Sequence, residues 1–197
     1  MSSMPGEAIR TRLILLCRGP VDWAQAEGGD PQLDSESLRE SELLAAMLPQ
    51  FDVIVASPQR SSQETAEALL AQRPVAVVWR DGLDEIRTAA ALTSDEAYTG
   101  WLDRLFESYG TAAEGESLAE GAERMTSALR GVADRYYGRS VLVVSHPVIL
   151  LAFRGSLVQS AVQREQVDAL PGLAISILEY LEGRFYLVQD FPMRLTP

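Results

Sequence analysis

The chain has 197 residues, 47% of them hydrophobic, and carries 17 basic against 28 acidic side chains for a formal net charge of -11. That length and balance suit one well-cored soluble domain, and an acidic chain with no basic stripe repels a nucleic-acid duplex or an anionic membrane before any local contact forms. The only cysteine, Cys17, excludes an internal disulfide, and together with the only histidine, His146, it falls short of a zinc ligand set.

In chain order, Thr11 to Trp23 opens as a short β-favouring apolar run that breaks abruptly at Cys17, Arg18 and Gly19. Asp34 or Ser35 then caps a predicted helix with Leu38, Leu43, Leu44 and Leu48 as its apolar stripe, stopped near Pro49. A strand over Asp52 to Ala56 is broken by Ser57 and Pro58. A helix to about Gln72 follows, and Val75 to Trp79 is a third strand closed by Asp81 and Gly82. Between Thr88 and Gly115 the strand signal vanishes, and Ala97, Trp101, Leu102, Leu105 and Phe106 recur at helical spacing, which predicts a small helical lid over about residues 88–116. Gly110 and Gly115 flank a polar loop, and a long helix from about Ser117 to Tyr137 leads to the strand opened by Ser140. That strand breaks at Ser145 and His146. Pro147 suits the first turn of a helix to about Leu157, and Ala174 to Leu181 with Phe185 to Gln189 reads as a hairpin across Glu182 and Gly183.

Strands alternating with helices predict an α/β three-layer sandwich in one domain, with a mostly parallel central sheet. Ligands of such sheets lie outside the carboxyl ends of the strands, so Cys17, Arg18, Gly19 and His146 fall at one crevice. A few converging arginines can hold a small anion there even in an acidic protein. Residues 1–12 contain no stretch of signal-peptide length, and no apolar run approaches the roughly 18 residues of a membrane span, so a cytoplasmic, metal-free protein is expected.

Several motifs resemble the histidine phosphatase superfamily, the phosphoglycerate mutase-like group. Its first strand ends in Arg-His-Gly-Glu-Thr-Asp-Trp, and Gly19, Asp22 and Trp23 match, with Cys17 at the arginine, Arg18 at the catalytic histidine and Pro20 at the glutamate. Asp30 to Ala45 is similar to the family's first helix and the segment leading to it, with Ser37 where glycine is usual. Val53 to Leu69 follows its next strand and helix, with Ser61 at the phosphate-binding arginine and Arg60 one place early. Leu83, Glu85 and Ile86 fit the segment carrying a proton-donating glutamate, and Gly115, Glu116 and Ser117 fit a Gly-Glu-Ser segment. Ser145 and His146 fit the second histidine motif, with Pro147 for its first glycine. The resemblance implies that fold with its nucleophile missing, because a guanidinium stays protonated and has no lone pair to accept a phosphoryl group. It also implies His146 and Glu85 as catalytic candidates and Gly19, Arg60, Ser61 and Ser145 as anion or substrate contacts; by their own chemistry Cys17, beside a guanidinium, is a third catalytic candidate and Arg18 an anion contact, and no cofactor is expected.

Each of these residues has a plainer reading. His146 can be a satisfied core histidine, Cys17 a small buried hydrophobe, Glu85 a turn residue, Arg60 an exposed helix start, and Arg18 the partner of a carboxylate such as Glu85 that plugs the crevice. Three functions stay open: an enzyme repurposed for acid/base chemistry on a small organic substrate through His146 and Glu85, a non-catalytic pseudophosphatase that binds an anion or a protein partner, and a residual phosphomonoesterase or mutase-like activity using His146 or Cys17. The expected partners are a small-molecule ligand, with anions among the options, and a second copy of the chain in a homodimer.

Overall fold

Leu13 to Cys17 are each at most 3% exposed because the strand they form, β1 (Thr11–Cys17), is covered on both faces. This is why the stretch is apolar throughout rather than alternating. The computed structural model describes residues 9–107 and 115–192. Within them β1 is followed by β2 (Val21–Glu27), β3 (Asp30–Leu33), α1 (Ser35–Leu44), β4 (Val53–Ala56), α2 (Arg60–Gln72), β5 (Ala76–Trp79) and α3 (Asp95–Glu107). Then come α4 (Leu118–Arg135), β6 (Ser140–Ser145), α5 (Pro147–Val158), α6 (Arg164–Ala169), β7 (Ile175–Leu181) and β8 (Arg184–Gln189).

The main sheet has the order β5-β4-β6-β1-β7-β8. β5, β4, β6 and β1 are parallel, and β7 and β8 add an antiparallel hairpin at one edge. Leu13, Leu15, Val53, Val55, Val141 and Val143 pack with α3, α4 and α5, whereas Ile14, Leu16, Ile54, Ala56, Leu142 and Val144 pack with α2 and the end of α1. The expected three-layer α/β sandwich is therefore present.

Three features differ from the sequence reading. β2 and β3 form a separate two-stranded hairpin that the polar composition and Pro31 concealed. Its Gly28 and Gly29 turn has φ of +63° and +88°, a left-handed pair that glycine adopts without a Cβ clash. Helix α6, at six residues, is too short to show a period. The stripe proposed for α1 is also corrected. Leu43 is 71% exposed and Leu38 lies at the surface, while Ser37 and Ser41 face inward. The reason is close approach: a Cβ at Gly19 would lie 2.7 Å from that of Ser37, so only small residues fit where α1 crosses the loop after β1.

The segment predicted as a lid is pinned at its base by a bridge between Thr88 and Gly115 and by a 2.8 Å bond from the Glu116 N–H to the Arg87 carbonyl. Its helix, α3, inserts Trp101, Leu102 and Leu105 into the same core cluster as β1, α4 and α5. Gly110 and the loop around it lie outside the described residues. Among the described residues no helix is long and apolar enough to cross a membrane.

Candidate ligand pocket

β1 and β6 run parallel with Cys17 beside Ser145, and the Arg18 N–H donates to the Ser145 carbonyl at 2.8 Å. The next residue of each strand, Arg18 and His146, therefore emerges at the same carboxyl edge. There a cavity of about 260 Å³ brings together Arg18, His146, Glu85 and Ser61. Gln59 and Asp30 border these polar groups, and Trp23, Tyr98, Trp101, Ile86 and Leu92 supply an apolar side.

Glu85 sits on a turn held from several directions. Ser145 Oγ donates to the Leu83 carbonyl at 2.7 Å, Ser57 Oγ to Asp84 at 2.7 Å, and the Glu85 N–H to Gln59 Oε1 at 2.8 Å. Arg124 also donates to the carbonyls of Gly82, Asp84 and Glu85. The Glu85 carboxylate accepts the N–H groups of Ile86, Val148 and Ile149 at 2.8–3.1 Å, which places it on the N-terminus of α5, where anions are favoured. Burial nevertheless pushes its carboxyl up from the ordinary value, against those donors and the Arg18 charge.

His146, 3% exposed, precedes α5 and holds Ser62 through Nε2 at 3.0 Å. Burial, followed by the charges of Arg18 and Arg124, drives its pKa well below the usual 6.5, so the ring is neutral. Between that depressed value and 6.5 the unfolded chain binds a proton that the native chain refuses. Stability is therefore complete above pH 6.5 and falls below it, by up to about 1.4 kcal/mol per pH unit. Because this is the only histidine, its imidazole signals in NMR spectra are expected to stay in the neutral position from pH 7 down to 5.5. A titration centred near 6.5 would instead mark a solvated ring.

Arg18 is 9% exposed and forms no ion pair with a described residue. Its Nη1 donates to the Gly19 carbonyl at 2.8 Å, and its Nε is buried with no partner. The anticipated plug of Arg18 by Glu85 is thus absent. Ser61 is 2% exposed, and its hydroxyl bonds to no described residue.

The other nominated residues lie elsewhere. Cys17 belongs to the core cluster and borders a second hollow beside Pro147 and Arg164. Burial pushes its thiol up to about 12, outweighing the lowering by Arg18. Arg60 points away from the cavity, donating from Nε to Glu64 at 3.0 Å and from Nη2 to Gln32 at 2.5 Å. Gly19 provides backbone and close packing, and Ser145, fully buried, spends its hydroxyl on the turn before Glu85. Tyr98 and Ser62 went unnoticed in the sequence. Tyr98 lies three residues before Trp101 on one helix face, a spacing that would have revealed it.

The sequence from residue 13 to residue 190 matches the histidine phosphatase superfamily (branch 1). The chain belongs to that superfamily. No curated protein matches at the sequence level. Among solved structures, YhfR of Bacillus stearothermophilus superposes with a TM-score of 0.76 at 20% identity, covering 91% of this chain and 96% of its own. A phosphoglycerate mutase from Bacillus anthracis gives 0.74 at 16%, with 93% of each chain covered. A phosphoserine phosphatase from Entamoeba histolytica, in complex with 3-phosphoglyceric acid, gives 0.71 at 19%, covering 92% and 96%. At these identities the likeness establishes the shared fold.

Proposed function

We propose that this chain is a small-anion-binding member of its superfamily that does not carry out phosphohistidine transfer. The observation that carries the reading is Arg18. Its guanidinium, which the motif resemblance sets at the family's histidine, is nine-tenths buried at the cavity, without a carboxylate partner among the described residues and with its Nε unsatisfied. A buried donor left unpaired costs about 1–3 kcal/mol, a cost that an anionic ligand removes on binding. The two residues best suited to proton transfer are already engaged, Glu85 by three backbone N–H groups and His146 by Ser62.

A second reading, acid/base catalysis on the bound anion, is favoured by one observation: a histidine kept neutral and a carboxyl with a raised pKa line the same cavity. Phosphomonoester hydrolysis through Cys17 is not favoured, since the thiol packs in the core cluster, does not line the cavity that holds Arg18 and His146, and is pushed up by burial.

Sulfate, phosphate or acetate is expected to raise the melting temperature of the wild-type chain by binding the folded state, with the shift lost in Arg18→Ala. p-Nitrophenyl phosphate and 3-phosphoglycerate, the latter a ligand of the Entamoeba protein, are expected to turn over no faster than the buffer blank. Robust hydrolysis abolished by His146→Ala would overturn the proposal, as would an anion shift that survives in Arg18→Ala.

A further inference from the structure

We infer that the anion this pocket takes is a monocarboxylate with a flat aromatic body, an arylacetate-type ligand, rather than a phosphate ester. The inference rests on the anion-binding reading of the same site. Three features of the cavity carry it.

The first is the donor geometry of Arg18. With Nη1 spent on the Gly19 carbonyl, the edge formed by Nε and Nη2 is left without a described partner. That edge offers two parallel N–H groups, matching the two oxygens of a planar carboxylate.

The second is charge. Arg18 is the one cationic side chain among the described residues that line the cavity, which also include Glu85 and Asp30. The Arg60 guanidinium is turned away, Pro147 has no N–H, and the N–H groups of Val148 and Ile149 are occupied by Glu85. A phosphate dianion, with three oxygens to satisfy, would meet one guanidinium and two carboxyl groups. A carboxylate asks for one charge and one fork.

The third is the apolar side. Trp23, Tyr98 and Trp101 form a continuous tilted array, with ring centroids 5.2 Å and 5.6 Å apart. The Tyr98 hydroxyl is buried without a partner and lies within electrostatic reach of Arg18. A flat ring fits against such a wall, and the hydroxyl supplies one further donor to the same anion. A volume of about 260 Å³, just under the roughly 300–1,000 Å³ typical of ligand pockets, limits the ligand to about one ring.

Calorimetric titration of the full chain with phenylacetate, acetate, benzyl alcohol and phenyl phosphate separates these features. Phenylacetate is expected to bind at least tenfold more tightly than each of the other three. Arg18→Lys, which keeps the charge but loses the fork, should weaken phenylacetate by tenfold or more, and Tyr98→Phe by three- to tenfold. Equal affinity of phenylacetate for wild type and Arg18→Lys overturns the inference. Binding of phenyl phosphate in an Arg18-dependent manner without binding of phenylacetate also overturns it while leaving the anion-binding reading intact. Absence of Arg18-dependent binding by every anion overturns both. Should Arg18→Lys fail to fold, Tyr98→Phe and Trp23→Ala decide: loss of the hydroxyl that meets the carboxylate should weaken phenylacetate and acetate alike, loss of the indole face should weaken phenylacetate more than acetate, and the absence of either effect overturns the inference.

Discussion

Replacing Arg124 by methionine is expected to lower the free energy of unfolding by about 3–5 kcal/mol, the usual cost of removing one partner from a buried ion pair. Arg124 and Glu116 have side chains only 13% and 12% exposed and meet at 2.6 Å, with a second bond from Nε at 2.7 Å. The same guanidinium donates to the carbonyls of Gly82, Asp84 and Glu85. Methionine keeps much of the volume but strands a carboxylate and three carbonyl groups. Burial alone would raise the Glu116 carboxyl, yet Arg124 and the Arg87 N–H hold it below its ordinary value. A depressed folded-state pKa contributes stability that is present above the unfolded value of about 4.5 and lost as pH falls through the folded one. The difference between wild type and Arg124→Met in urea melts should therefore shrink below about pH 4.5. Adding Glu116→Gln to Arg124→Met should recover part of the loss at pH 7, because the stranded charge is gone. A single variant within 1 kcal/mol of wild type would mean that the network contributes nothing beyond a surface pair. Since Arg124 also holds the turn that carries Glu85, the variant is expected to bind anions more weakly than wild type.

Trp101→Ala is expected to cost about 3–5 kcal/mol, as large-to-small aromatic substitutions in cores do. For a chain of this length that corresponds to a fall in melting temperature of roughly 10 °C. Trp101 is 2% exposed, belongs to the core cluster shared by β1, α4 and α5, and packs its ring against Tyr98. Were residues 88–116 a cover that opens independently of the body, the loss would appear as local fraying with an unchanged global transition. Packing of Trp101, Leu102 and Leu105 into the main core leads instead to one cooperative transition shifted as a whole, by circular dichroism and by tryptophan fluorescence alike. A cost below 1 kcal/mol, or two separated transitions, would contradict this.

The sequence alone determined the sandwich, because strands buried on both faces must be apolar at nearly every position, and the runs Leu13–Cys17, Val53–Ala56 and Val141–Val144 are. It also determined the crevice, since a polar break at the end of such a run marks the carboxyl edge of a parallel sheet. Helix α3 was legible from its 3.6-residue period, whereas the hairpin of β2 and β3 was not, because its polar side chains conceal any alternation. Only the tertiary structure decided which side chains enter the pocket. Sequence nominated both members of three adjacent pairs, Cys17 and Arg18, Arg60 and Ser61, Ser145 and His146, and in each pair one member lines the cavity while the other does not. Neighbours on a strand leave it on opposite faces, and neighbours at a helix start diverge by about 100°. Which face looks inward was set by partners far along the chain. Gly19 against Ser37, Ser62 against His146 and Leu83 against Ser145 are contacts that no local pattern records.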